Sequence, residues 1–154
     1  MNHLLELVTR SNIVYNLQAE SKEEVIRKLV EHACSIRLVS SEKADEIVYL
    51  LLEREKSMST GIGSGVAIPH CSITGMNELK VVIGLSKEGI SFEAIDKLPV
   101  HIFIMLIVPK EKFQDHIRTL ALIAKTLNIR EEREKFIHCQ CYEEIISAFS
   151  AENK

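Results

Sequence analysis

The sequence predicts an α/β domain in which helices cover both faces of a mixed, partly parallel sheet. Apolar residues recur at helical spacing towards both ends of the chain, and strand-like patterns lie between them. The segment from Val100 to Val108 is apolar at almost every position, which is typical of a central strand buried on both faces.

The helices are expected at the two ends of the chain. The first begins at Ser21, because Ser21-Lys-Glu-Glu24 has the capping-box pattern, in which a hydroxyl and a carboxylate satisfy each other's free backbone donors. The other helices are expected from Ser40 or Ser41 to Lys56, from Gln114 to Leu127, and, as one or two segments, from about Arg130 to Phe149.

The strands are expected in the middle of the chain. The strand candidates are Val66 to Ile68, which stops at Pro69, then Leu79 to Leu85, a short pairing segment from Ile90 to Phe92, and Val100 to Val108. Met58 to Gly65 is expected to be a loop, because it holds three glycines and three hydroxyl residues.

Size and charge exclude several classes of protein. With 154 residues, we expect a single domain over residues 1–154. Hydrophobic residues make up 46% and charged residues 27%, an ordinary globular mixture. Nineteen basic residues against 22 acidic ones give a net charge of −3, which speaks against general affinity for nucleic acid.

The sequence predicts a cytoplasmic protein without membrane insertion. The longest apolar stretch, Leu98 to Pro109, is shorter than the roughly 20 residues of a spanning helix. The first residues lack a basic region followed by a long apolar run. The four cysteines do not form the disulfide framework of a small secreted domain, which favours a reducing compartment.

Three closely spaced glycines, Gly61, Gly63 and Gly65, precede a histidine at position 70. A dinucleotide fingerprint needs a strand before the glycines and a helix after them, and here the order is reversed. The P-loop pattern GxxxxGK[ST] is absent from the sequence as well. The remaining possibilities are an ordinary turn before a surface histidine, or a loop that passes close to a reactive group held just after Pro69.

Residues 53–70, ERE-x-x-x-STGIG-x-G-x-AIPH, resemble the active-site signature of enzyme IIA domains of the bacterial phosphotransferase system, of the fructose/mannitol type. The likeness continues through Leu98-Pro-Val100, Leu106-Ile-Val-Pro109 and His116-x-x-x-Leu120, and it covers nearly the whole chain. Nitrogen-related IIA proteins, which belong to this type, are the most similar. The fold of the resembled family, an α/β sandwich with a mixed sheet, agrees with the pattern read from the residues.

The resemblance implies that His70 accepts a phosphoryl group from the phosphohistidine of the carrier HPr or of a nitrogen-branch HPr. Imidazole suits this relay, because it is neutral near pH 7 and one ring nitrogen attacks while the other is held as N–H. By analogy with the family, Nε2 attacks. His116 matches the second histidine of the family, and Arg54 matches an arginine whose guanidinium fork suits a phosphoryl group. Without the resemblance, a helix-surface histidine and a solvated helix end would be the simpler interpretations of these two residues.

The glycine loop is expected to support the site through backbone N–H groups at Gly61, Gly63, Ser64 and Gly65. The family often has Asn at position 64 and Gly at position 71, where this chain has Ser64 and Cys71. A serine hydroxyl still donates a hydrogen bond. Cys71 is expected to pack as a small apolar residue, and a redox-sensitive thiol is the alternative.

No cofactor or metal is expected, since transfer between two histidines needs none. The run His138-Cys-Gln-Cys141 has a tight CxC spacing and no obvious second pair of ligands, which disfavours zinc. His101 is expected to be a satisfied histidine of the core or of a sheet end. A metal-dependent hydrolase is disfavoured, because the sequence shows no nearby cluster of carboxylates and histidines at the spacing of metal ligands.

The leading prediction is a phosphocarrier with a regulatory, nitrogen-related output, in which two phosphorylation states bind a partner protein differently. The chain shows no IIB, IIC or HPr-like extension, and we expect a free-standing protein of this type. One alternative is a sugar-specific IIA protein that passes the phosphoryl group to a IIB cysteine. Another is a binding module that has lost phosphotransfer, although His70 and His116 are both present.

Overall fold

A six-stranded mixed sheet lies between two layers of helices in the computed structural model, which describes residues 8–57, 61–92, 94, 96–138 and 143. The α-helices are α1 (Lys22–Ser35), α2 (Ala44–Ser57), α3 (Phe113–Leu127) and α4 (Arg130–His138). The strands are β1 (Ile13–Val14), β2 (Gly61–Gly63), β3 (Val66–Ala67), β4 (His70–Ile73), β5 (Lys80–Ile90) and β6 (Val100–Pro109).

Strand β6 is the centre of the sheet. On one side it pairs antiparallel with β5, which in turn pairs parallel with β1. On the other side it pairs parallel with both β3 and β4, so these two short strands follow one line that is interrupted at Ile68 and Pro69. Strand β2 completes the sheet by pairing antiparallel with β3.

The two faces of β6 belong to different hydrophobic clusters. Ile102, Ile104 and Leu106 pack in a cluster that includes residues of α3 and α4. Phe103, Met105 and Ile107, which alternate with them, pack in a cluster that includes residues of α1 and α2. This confirms the predicted fold class, a mixed, partly parallel sheet with helices on both faces, and it confirms β6 as a buried central strand.

The predicted helix starts agree closely with the structure. The Ser21 hydroxyl accepts a hydrogen bond from the backbone N–H of Glu24 at 3.1 Å, which caps α1. Ser40 caps a short 3-10 turn over Ser41–Lys43 that leads into α2. The last helix ends at His138, and the rest of its predicted range, apart from Glu143, lies outside the described residues.

The short strands differ most from the expectation. The predicted loop from Met58 to Gly65 contains β2, and the predicted break between Leu85 and Ile90 is bridged by a single strand, β5. Strands β1 and β4 were not predicted at all. Each of these segments is too short or too polar to show the apolar–polar alternation of a strand. Its strand conformation follows from hydrogen bonding to a neighbouring strand. Among the described residues, no helix is long and apolar enough to cross a membrane.

Candidate functional site

His70 is the first residue of β4 and follows directly on the proline that interrupts the strand. The carbonyl of Pro69 still accepts a hydrogen bond from the backbone N–H of Leu106 at 2.9 Å, and His70 pairs with Leu106 in register. Proline lacks an N–H of its own and is tolerated at such a break. The sheet therefore holds the backbone at His70 from the side of β6.

His70 lies beside a pocket of about 280 Å³ between α2 and the start of α3. Its pairing partner Leu106 points towards the α3 layer, and His70 shares that face because paired residues of parallel strands point the same way. The other residues that line the pocket are Leu50, Arg54, Cys71, Ser72 and Phe113.

The backbone of the same strand segment orients the His70 ring. Nδ1 lies 2.9 Å from the carbonyl oxygen of Ile68. A carbonyl can only accept a hydrogen bond, so this geometry assigns the proton to Nδ1 and leaves the lone pair on Nε2. In this tautomer, Nε2 is the ring nitrogen that carries a free lone pair.

The surroundings of His70 favour its neutral form. The pKa of His70 is lowered from 6.5, first because the ring is largely buried and also because the charge of Arg54 opposes a second positive charge. The hydrogen bond to Ile68 and the negative charge of Glu55 act in the opposite direction. The net effect is a histidine that is uncharged at neutral pH.

Arg54 reaches the pocket from the last turn of α2. Leu50 lines the pocket as well, and residues four apart lie on one side of a helix. The guanidinium also donates a hydrogen bond to the hydroxyl of Ser57 at 3.4 Å. The structure therefore brings the predicted arginine and the predicted histidine to one pocket.

His116 is buried on α3, with 7% of its surface exposed. It follows Phe113 by one helical turn, and Phe113 lines the His70 pocket while His116 itself does not. The structure thus places the second predicted histidine on the helix that borders the pocket.

The glycine segment forms a hairpin rather than an irregular loop. Its turn is formed by Ser64 and Gly65, and Gly63, Ser64 and Gly65 all adopt positive φ. The backbone N–H of Ser64 donates to a carboxylate oxygen of Asp96 at 2.9 Å. Gly61 lies beside Ala67, so the hairpin runs back towards His70 from its tip.

The tip of the hairpin lies far from His70 along the sheet. Strand β3 begins at Val66, which pairs with Ile102, whereas His70 pairs with Leu106, and this separation is about 13 Å at about 3.3 Å per residue. The structure does not bring Ser64 and Gly65 to the histidine. Gly61 is the glycine of this segment that lies nearest to it in the pairing.

Sequence reasoning missed several residues around the pocket and the hairpin. Phe113 and Leu50 line the pocket, but they read as ordinary apolar helix positions. Asp96 accepts hydrogen bonds from the N–H groups of Ser64 and Leu98, at 2.9 and 3.0 Å. A single aspartate in a connecting loop gives no signal of this role.

Two further predictions on single residues concern Cys71 and His101. Cys71 is buried, and burial raises the pKa of its thiol to about 12, as the expected apolar packing requires. The Nδ1 of His101 lies 2.8 Å from the carbonyl oxygen of Ser86, so this histidine is satisfied at the sheet as predicted.

The sequence disfavours a zinc site at the C-terminal His138-Cys-Gln-Cys141 run. Cys139, Gln140 and Cys141 lie outside the described residues, and nothing is shown of the run as a site. Elsewhere in the described part of the chain, no three His, Cys, Asp or Glu side chains form a group that could hold a metal ion.

The chain matches the family model described as "Phosphoenolpyruvate-dependent sugar phosphotransferase system, EIIA 2" over residues 6–152. It is 35% identical over 127 residues to a nitrogen regulatory protein of Klebsiella oxytoca, covering 82% of this chain and 74% of that protein. It is 27% identical over 151 residues to the fructose-specific EIIABC component of Bacillus subtilis. That match covers 98% of this chain but only 24% of the longer Bacillus protein.

Solved structures of similar proteins have the same fold as this chain. The nitrogen regulatory protein IIA-Ntr of Neisseria meningitidis superposes with a TM-score of 0.87 at 26% identity, covering 96% of this chain and 99% of that one. Enzyme IIAMTL of Escherichia coli, solved in complex with phosphorylated enzyme IIBMTL, shares the fold with a TM-score of 0.74 at 22% identity, covering 94% and 97%. The chain therefore belongs to the EIIA type 2 family of the phosphoenolpyruvate-dependent sugar phosphotransferase system, a family of phosphotransferase components.

Proposed function

We propose that this chain is a phosphocarrier that accepts a phosphoryl group on Nε2 of His70. The observation that supports this most directly is the 2.9 Å contact between His70 Nδ1 and the Ile68 carbonyl, which leaves the Nε2 lone pair available. The donor is the phosphohistidine of HPr or of a nitrogen-branch HPr. Both proteins belong to the cytoplasm, and this chain acts there with them.

In the transfer step, the Nε2 lone pair attacks phosphorus in line with the donor's P–N bond. That bond breaks as the new one forms, and its electron pair returns to the donor ring, which regains a proton from solvent. The His70 ring keeps its Nδ1 proton, because Nδ1–H donates a hydrogen bond to the Ile68 carbonyl oxygen. A ring protonated at Nδ1 is a good leaving group, so the same hydrogen bond keeps the phosphoryl group transferable to an acceptor.

Arg54 and His116 assist the transfer in this proposal. The phosphoryl group spreads negative charge over three oxygens, so positioning and opposite charge are the main contributions that a protein can make. Arg54 borders the pocket and supplies a fixed positive charge with several donors. His116 is buried on α3, one turn beyond Phe113. Of the glycine segment, we assign Gly61 the best position for support of the site, and Gly63, Ser64 and Gly65 a role in shaping the hairpin.

For the output we favour regulation, in which the two phosphorylation states bind a partner protein differently. The higher identity to a nitrogen regulatory protein and the TM-score of 0.87 to IIA-Ntr support this choice. Transfer to a IIB cysteine is the second candidate, supported by the likeness to a fructose-specific component. A sugar phosphorylation assay with added IIB and membrane components separates the two.

The test of the carrier function is intact mass after incubation with phosphoenolpyruvate, enzyme I and HPr. We expect the wild type to gain one acid-labile phosphoryl group and His70→Ala to gain none. His101→Gln is the matched control, because His101 is also half-buried with its Nδ1 on a backbone carbonyl, and it should be phosphorylated normally. No gain by the wild type from a demonstrably phosphorylated cognate donor would overturn the proposal and leave a binding module.

A further inference from the structure

Ser72 is a polar residue of β4 that the transfer step above does not use. It is half-buried, as His70 is, whereas Cys71 and Ile73, which alternate with these two residues, are buried. Residues two positions apart in a strand lie about 6.6 Å from each other and point to the same face of the sheet. Ser72 is therefore the next side chain after His70 on that face of β4.

The register with β6 supports the same placement of Ser72. Leu106, the partner of His70, packs in the cluster that includes residues of α3 and α4. Val108, the partner of Ser72, packs in the same cluster. The two apolar residues of β4 pack in the other cluster, with residues of α1 and α2. The two polar side chains of β4 thus share the face of the strand that points towards the α3 layer.

Ser72 and His70 line one pocket together with Arg54. This pocket of about 280 Å³ lies between α2 and the start of α3, and Arg54 reaches it from α2. A histidine, an arginine and a serine therefore meet there, and each can take part in hydrogen bonds to a bound group. The other lining residues are apolar or, in the case of Cys71, a weak donor. Besides Arg54, Ser72 is thus the lining residue best suited to donate to an anion.

The hydroxyl of Ser72 has no hydrogen-bond partner among the residues that the structure describes. Its oxygen is not enclosed by the protein either, so a group that enters the pocket can reach it. Two other serine hydroxyls are already in use. That of Ser57 donates to the carbonyl of Arg54 at 2.8 Å, and that of Ser86 accepts from the backbone N–H of Gly89 at 3.0 Å. A hydroxyl rotates to suit its partner, so Ser72 can direct its proton towards a new acceptor.

We propose that the hydroxyl of Ser72 donates a hydrogen bond to an oxygen of the phosphoryl group that His70 carries. This inference rests on the proposed carrier function and names a further residue that binds the transferred group. A hydrogen bond from a hydroxyl to an ionised oxygen is about 2.5–2.7 Å long and roughly twice as strong as a neutral one. Arg54 then contacts the group from α2, and Ser72 contacts it from the strand that carries the histidine.

Ser72 differs from Arg54 in how its donor is positioned. A single residue separates Ser72 from His70, and both residues pair with β6, so the sheet sets their relative position. Arg54 instead reaches the pocket from the last turn of a helix, and its position depends on how that helix packs. The hydroxyl therefore supplies a donor in a defined place relative to the histidine, and positioning is a main contribution that a protein makes to phosphoryl transfer.

The experiment measures the rate of phosphoryl transfer from phosphorylated HPr to the wild type and to variants of Ser72. Ser72→Ala should slow transfer about tenfold, less than the loss of roughly 100-fold or more for an enclosed donor, because Ser72 is only half-buried. Ser72→Thr keeps the hydroxyl, and the pocket has room for the added methyl group, so its rate should stay within about threefold of the wild type.

Thr74→Val is the matched control for Ser72→Ala. Thr74 follows the end of β4 directly, its side chain is exposed, and it does not line the pocket. The substitution removes a hydroxyl two residues beyond Ser72 and keeps the branched shape of the side chain. Its transfer rate should stay within about twofold of the wild type, because an exposed hydroxyl exchanges its hydrogen bonds with water.

NMR separates a direct contact from a structural role of Ser72. The Ser72 hydroxyl makes no hydrogen bond to the unphosphorylated His70 ring, so the pKa of His70 should be the same in the wild type and in Ser72→Ala. The phosphorus NMR signal of phosphorylated His70 should move in Ser72→Ala and return towards the wild-type position in Ser72→Thr. A structural role would instead change the unphosphorylated ring as well. Thermal melts check that each variant is folded.

Two outcomes would overturn the role of Ser72 while leaving the carrier function intact. One is a transfer rate of Ser72→Ala within twofold of the wild type, with an unmoved phosphorus signal. The other is a loss of transfer in Ser72→Ala that Ser72→Thr does not restore. Absence of phosphorylation in the wild type, with a demonstrably phosphorylated donor, would instead overturn the carrier function.

Discussion

The Nδ1 atom of His70 lies 2.9 Å from the carbonyl oxygen of Ile68, so the strand segment that carries the histidine also sets its tautomer. Pro69 stands between the two residues and restricts the backbone that connects them. The orientation of the reactive ring thus depends on backbone geometry, and conservative changes of pocket side chains should leave it in place.

The first prediction concerns the pH dependence of phosphorylation. Because the pKa of His70 is lowered by burial and by Arg54, the rate should be constant between about pH 7 and 8. Below the pKa it should fall about tenfold per pH unit, as the lone pair is lost to a proton. NMR titration of the ring checks this directly, and a His70 pKa above 6.5 would contradict the account.

The second prediction concerns stability, which should depend on pH because the pKa of His70 is lowered on folding. The unfolded chain binds a proton at His70 more readily than the folded chain does, so the contribution of this residue is fully present above pH 6.5. It is lost as the pH falls through the lower, folded-state pKa. Urea unfolding gives the free energy of unfolding of the wild type and of His70→Gln at each pH. The difference between the two should change only as the pH passes from 6.5 through the folded-state pKa of His70.

The third prediction concerns Arg54. Replacement by Ala should slow phosphoryl transfer by about 100-fold, somewhat less than the loss of a fully enclosed donor, because the arginine is partly exposed. Arg54→Lys keeps the charge but not the fork and should lose about tenfold. Lys56→Ala, which removes a solvated cation two residues later, serves as the control. Arg54→Ala should also raise the His70 pKa, and a rate within twofold of the wild type would remove Arg54 from the site.

The fourth prediction concerns the anchor of the glycine hairpin. Asp96→Ala should accelerate hydrogen exchange at the amides of Ser64 and Leu98, because both donate to the Asp96 carboxylate. The pKa of Asp96 is lowered by these two hydrogen bonds, so the anchor is fully present above pH 3.8 and is lost as the pH falls through the folded-state pKa. Asp96→Asn, which keeps one acceptor oxygen, should have an intermediate effect.

Phosphorylation of His70 in Asp96→Ala should stay within about twofold of the wild type, since the hairpin tip lies about 13 Å away along the sheet. A large loss of transfer would instead indicate that Ser64 and Gly65 act at the histidine, as the sequence resemblance implies.

The fifth prediction concerns Cys71. With a pKa of about 12, fewer than about one in 10⁴ of its thiol groups is ionised at pH 7.5, so alkylation of the folded protein should be very slow. Cys34, which is half-buried, should react faster under the same conditions. Peptide mapping after iodoacetamide treatment distinguishes the two, and Cys71→Ala should still be phosphorylated. Rapid labelling of Cys71 in the folded state would restore the redox alternative.

The long elements of this fold are predictable because each has a recognisable pattern of apolar residues. The apolar stripe of α3 and the continuous apolar run of β6 both appear in the sequence before any partner is known. Strand β4 is different, because its polar residues His70 and Ser72 alternate over only four positions. It forms a strand because it pairs with β6, and the sequence alone does not show which residues of two strands pair.

Some residues of the candidate site can be found from the sequence, and others appear only in the structure. His70 and Arg54 belong to one short motif and are found by resemblance. Phe113 reaches the pocket, and Asp96 holds the tip of the hairpin, from segments that carry no such motif. Glu55, the residue after Arg54, is buried although a charged run at a helix end reads as solvent-exposed. Its side chain is 2% exposed and lies 3.8 Å from Nζ of Lys22 on another helix, a contact that only the packed structure shows.

The interrupted strand makes the placement of His70 sensitive to insertions and deletions. Val66 pairs with Ile102 and His70 with Leu106, so the register with β6 is the same on both sides of the break at Pro69. Side chains alternate between the two faces of a sheet, and moving a residue by one position transfers it to the other face. A single insertion or deletion between Val66 and His70 would turn the histidine from the α3 layer towards α1 and α2. The position of His70 in the sheet therefore depends on the length of this segment more than on the residue types within it.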